Sequence, residues 1–132
     1  MDVDTSSAMK KLAEIPISLH CWQTDDVGGF ETSHGDPGGG LAVTGNFPGK
    51  ARTISEVRQD LEKVMSLIPG KLRVNLHANY GDFDGKRIDR DQIEPAHFAS
   101  WVEWACQQGI SLDFNSTFFA HPRADSGFTL SN

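Results

Sequence analysis

The chain is short of positive charge, of cysteine and of long apolar runs, and each shortage closes a class of function. Twelve Lys and Arg stand against 18 Asp and Glu, for a formal net charge of -6. No run of Lys and Arg exceeds two residues. A phosphate backbone is repelled by that balance, so no nucleic-acid partner is expected. The two cysteines, Cys21 and Cys106, are too far apart to form a C-x-x-C metal or redox pair. Reduced thiols in a weakly acidic chain suit a cytoplasmic protein. No stretch approaches the roughly 18 apolar residues of a membrane-spanning helix, and the opening residues carry no apolar secretion core, so no membrane partner is expected. Without export, the glycosylation pattern at Asn115-Ser116-Thr117 is idle.

Metal ligands and phosphate loops are equally thin. Five histidines are spread widely, and no two have the i, i+4 spacing of a helical metal pair. The run from Gly45 to Ala51 has one residue too few between its glycines for a phosphate loop, and Ala51 replaces the magnesium-binding hydroxyl. The Asp82-Phe83-Asp84-Gly85 segment would need an acid where Tyr80 stands to be a calcium loop. The acidic residues between 82 and 94 read as a solvated face.

What is present is a single domain's worth of chain, 132 residues with 38% hydrophobic content and 13 glycines. A short helix is expected over Ser6 to Glu14, ended by Pro16. Ile15, Ile17 and Leu19 alternate as a first strand, within residues 14–22. Residues 23–52 hold eight glycines and two prolines and form a long loop of the kind that carries function. Thr53 and Glu56 have capping-box spacing. Val57, Leu61, Val64 and Ile68 then mark one helical face, stopped by Pro69-Gly70. Leu72, Val74 and Leu76 alternate as a second strand that His77 closes, placing helix and strand within 53–80.

Pro95 suits a first helical turn. Phe98, Trp101, Val102, Ala105 and Cys106 give the expected buried face, with Trp104 off it, placed to meet another helix or a subunit. Gly109 caps the helix. Ile110, Leu112 and Phe114 form a third strand, so helix and strand fall within 91–115, followed by a loop tail over 116–132. Strand–helix–strand–helix–strand order implies an α/β fold with parallel strands. Its chemistry belongs at the carboxyl ends of the strands, at His20 to Trp22, His77 to Tyr80 and Asp113 to Asn115.

Two positions apart in a strand, His20 and Trp22 share a side. An indole plate beside an imidazole suits a sugar, which stacks its C–H face and offers hydroxyls. Ordinary core packing is the competing reading. His77 either holds a hydroxyl or moves a proton, or it is a structural strand-end histidine. Asp113 and Asn115, on one side with Phe114 opposite, either bind ligand or cap the next turn. His121 before Pro122 reads as loop geometry.

The ordered blocks IPISLHCWQTDDVGGFE, TGNFPGKAR, NLHANY, HFASWVEWA, ISLDFNSTFFAHP and GFTLS resemble the N-terminal third of the L-rhamnose isomerase family, over nearly the whole chain. The resemblance implies a partial (β/α)8 TIM barrel, comprising the first three parallel strands and two crossover helices. It implies a fragment of an aldose–ketose isomerase that interconverts L-rhamnose and L-rhamnulose, inactive alone. It further implies a homotetramer and divalent metal, manganese preferred, with no metal ligand and no catalytic residue in these 132 residues. Trp22 and His77 match residues that contact the sugar, and Phe47 is the expected apolar tip of the Gly38-to-Arg52 loop, with Phe30 as its rival. The alternatives are a non-catalytic interaction or weak sugar-binding module, and a different metal-dependent sugar isomerase or epimerase.

Overall fold

The computed structural model describes residues 3–20, 30, 51 and 53–116. Helix α1 spans Thr5–Ala13, with the Asp4 carboxylate accepting the Ser7 backbone N–H at its start. Strand β1 follows over Ile17–His20. Helix α2, Ile54–Leu67, opens with the reciprocal capping box its spacing predicts: Glu56 N–H donates to Thr53 Oγ1, and Thr53 N–H donates to Glu56 Oε2. Strand β2 covers Leu72–His77 and runs into a short 3-10 turn, Ala78–Tyr80. Further 3-10 turns at Arg90–Gln92 and Pro95–Phe98 precede helix α3, Ala99–Gln108. Gly109, at φ 66°, ends α3 in the left-handed cap that glycine adopts without strain. Strand β3 closes the described region over Ser111–Asn115.

The three strands form one parallel sheet in the order β1-β2-β3. Alternation along each strand divides the sheet into two chemically distinct faces. Ile17, Leu19, Leu72, Val74, Leu76, Leu112 and Phe114 share one register. Val74 and Leu76 pack there with Val57 and Leu61 of α2 and Trp101, Trp104 and Ala105 of α3. That is the core, and it lies on the helix side of the sheet.

The two helices are tied together by polar side chains as well as by packing. Trp101 is fully buried, and its indole N–H donates to the Tyr80 carbonyl at 2.7 Å. Its ring meets Trp104 edge-on, with centroids 5.5 Å apart, and the Arg58 guanidinium lies 4.6 Å from its centroid. Arg58 donates to Ser100 Oγ, which donates in turn to Asp82, both at 2.9 Å.

Trp104 departs from the simple heptad reading. It is buried and donates to Glu62 Oε1 of α2 at 2.7 Å, which is the helix contact expected of it. Val102 and Cys106, placed on the buried face by spacing, are exposed instead. The buried stripe is Trp101, Trp104 and Ala105. Two large indoles at i and i+3 rotate the helix toward themselves, because burying their area outweighs burying a valine or a thiol.

Candidate functional site

The other face of the sheet is polar in every strand. Ser18 and His20 from β1, Arg73, Asn75 and His77 from β2, and Ser111, Asp113 and Asn115 from β3 share its register. The same strand order also occurs in half of a doubly wound sheet, where both faces carry helices and both are apolar. A face whose eight positions are all polar has no use for a packed helix. It suits the lining of a cavity that holds a polar ligand.

At the lower end of this face, Arg73 Nη2 meets Asp113 Oδ1 at 2.6 Å, and the Ser18 hydroxyl donates to Asp113 Oδ2 at 2.7 Å. One carboxylate thus links all three strands. Asp113, which by its place in the sequence suits either ligand binding or turn capping, has both oxygens engaged within the sheet. Asn115 does share its register and is exposed at the end of β3.

Higher up, the His20 and His77 rings lie edge to face with centroids 5.8 Å apart. His77 is buried, and its ring also faces Tyr80 at 6.4 Å. Burial pushes the His77 pKa below its ordinary value, and the neighbouring His20 pushes it the same way. His77 is therefore a neutral imidazole at neutral pH, able to donate from one nitrogen and accept at the other.

The depressed pKa carries a stability consequence. Between the folded value and the ordinary value near 6.5, the unfolded chain binds the proton that folded His77 refuses. Stability is full above about pH 6.5 and falls as the solution is acidified through that window. Urea midpoints at pH 7.5 and at pH 5.5 should show the loss, and His77→Asn should shrink it. An equal loss in the variant would assign the effect to other groups.

Of the remaining expected site residues, Trp22 and Phe47 lie outside the described residues, as do the Gly38-to-Arg52 loop except Ala51, and His121. Phe30 packs edge-on against Tyr80 at 5.4 Å, and its N–H donates to the Asn79 carbonyl. Sequence reasoning did not single out Ser18, Arg73 or Asn75. The signal was available in the alternation of L-R-V-N-L-H, whose polar half is as regular as its apolar half.

Among the described residues, no three His, Cys, Asp or Glu side chains converge as a metal site requires. These side chains by themselves do not fit a divalent ion, since two imidazoles are the nearest approach to a ligand set and Asp113 is held by Arg73. No helix among them is long and apolar enough to cross a membrane.

Parallel strands in one open sheet, helices on one side and a polar lining on the other define part of a (β/α) barrel of the kind that houses enzymes. The family model for L-rhamnose isomerase (RhaA) matches residues 1–132. The L-rhamnose isomerase of Rhodopirellula baltica is 56% identical over 130 residues, covering 98% of this chain and 30% of the relative. That of Bacteroides thetaiotaomicron is 54% identical, covering 98% of this chain and 31% of the relative. The chain belongs to the L-rhamnose isomerase family. It spans about 30% of the length of the curated relatives it matches.

Proposed function

We propose that this chain supplies three β/α units and part of the sugar-binding wall of an isomerase that interconverts L-rhamnose and L-rhamnulose. The observation that carries this reading is the family match over all 132 residues. The polar sheet face supports it, because a sugar needs neutral donors and acceptors rather than a charged cradle. His77, held neutral by burial, fits the role of a hydroxyl ligand. The family resemblance supports Trp22 as a sugar-stacking residue and Phe47, with Phe30 as its rival, as the apolar contact from the long loop.

Family resemblance adds a divalent metal, manganese preferred, with ligands outside the described residues. It also adds a homotetramer and a cytoplasmic setting. A metal in such enzymes polarises the sugar oxygens. The described residues contribute binding and orientation, not a metal-bound step.

The test is conversion of L-rhamnose in the presence of Mn2+. The complete isomerase polypeptide carrying these residues should form L-rhamnulose, and the 132-residue chain alone should not. Turnover by the short chain would contradict its assignment as one wall of the site. Failure of the complete polypeptide on L-rhamnose and other 6-deoxy aldoses would remove the reading. A sugar-binding or interaction module would instead bind rhamnose without converting it.

A further inference from the structure

Two polar atoms in the sheet face are buried without a hydrogen-bond partner among the described residues: Asn75 Oδ1 and Arg73 Nε. They are two residues apart on β2, so their side chains leave the same face of the strand. Asn75 stands at the centre of that face, with His20 beside it on β1, Asp113 beside it on β3 and His77 next above it on β2. A buried acceptor and a buried donor left unsatisfied are each costly, so the site is shaped for something that answers both.

The chemistry of the pair selects the ligand class. Arg73 carries a positive charge, but Asp113 already engages its guanidinium at 2.6 Å. A carboxylate or phosphate would have to compete with Asp113 for the guanidinium and would face its negative charge. An ammonium group would satisfy Asn75 Oδ1 and be repelled by Arg73. A hydroxyl donates one hydrogen bond and accepts two, and it carries no charge. It answers the free acceptor of Asn75 and the free donor of Arg73 alike. The same chemistry belongs to a sugar and to a water molecule, and the position of Asn75 directly below His77 favours the sugar.

We propose that Asn75, assisted by the Nε–H of Arg73, is a hydroxyl-binding residue for the sugar, one layer beneath His77. This rests on the isomerase reading above. The residue then sets specificity as well as affinity, because a site that pairs a substrate hydroxyl discriminates against analogues lacking it.

The experiment compares L-rhamnose with its monodeoxy analogues in the complete isomerase, with Asn75 intact or replaced. Asn75→Leu keeps the branched heavy-atom shape and removes the acceptor; Asn75→Asp keeps an acceptor at the same place. For L-rhamnose, Asn75→Leu should lower kcat/KM by about 10- to 100-fold, and Asn75→Asp by clearly less. For one monodeoxy analogue, already poor with the native enzyme, Asn75→Leu should make little further difference. That loss of sensitivity identifies the hydroxyl that is held. An equal loss on L-rhamnose and on every monodeoxy analogue would assign the position to a structural water and overturn the proposal. An Asn75→Asp enzyme as impaired as Asn75→Leu would overturn it as well. Absence of L-rhamnose conversion by the unsubstituted enzyme would remove the isomerase reading itself, an outcome separate from either result on Asn75.

Discussion

Trp101→Ala should remove a large share of the fold's stability. The side chain is fully buried, between β2, the Tyr80 turn, α2 and Trp104. Truncating a buried tryptophan costs about 3–5 kcal/mol, and a domain of this size has only about 5–15 kcal/mol in total. The substitution also leaves the Tyr80 carbonyl without its 2.7 Å donor and removes the ring over which Arg58 lies. Trp101→Phe separates these contributions. It retains most of the apolar area and loses the N–H, so it should cost about 1–3 kcal/mol. Urea titration followed by far-ultraviolet circular dichroism measures both. An unchanged midpoint in Trp101→Ala would mean that the two helices do not share the core described.

The second large effect is expected at the sugar. In the complete isomerase, His77→Ala should lower kcat/KM for L-rhamnose by about 10- to 100-fold, the value of one or two hydrogen bonds in a buried site. Trp22→Ala should act in the same direction through lost stacking. Because both residues are proposed to bind rather than to react, most of the loss should appear in KM. Unchanged KM and kcat in both variants would refute these roles. His77 also contributes to stability, so His77→Gln is the better-tolerated companion variant.

Much of this fold was legible in the sequence because its signals were local. The capping box at Thr53 and Glu56, the glycine stop at Gly109 and the alternation at Leu72, Val74 and Leu76 each act over a few residues. The orientation of α3 was less legible. Spacing placed Val102 and Cys106 inward with equal weight, whereas indole area and the Glu62 acceptor on a distant helix decided for Trp104. The candidate site was half legible. His77 announced itself at a strand end, but the partners that give Asp113 its role, Ser18 and Arg73, lie 95 and 40 positions away in the chain. Such a link depends on strand order and register, which no local pattern encodes.

Strand β2 is where these properties meet, and its two-sidedness makes it intolerant of a change in length. One residue inserted after Leu72 would invert everything beyond it. Arg73, Asn75 and His77 would be driven into the oily layer beneath the helices, and Val74 and Leu76 would be thrust onto the polar face. Most point substitutions on this strand therefore injure either packing or chemistry, while a frame slip injures both together. Variation in these proteins should accordingly accumulate as exchanges within the strand and as indels only in the segments that flank it.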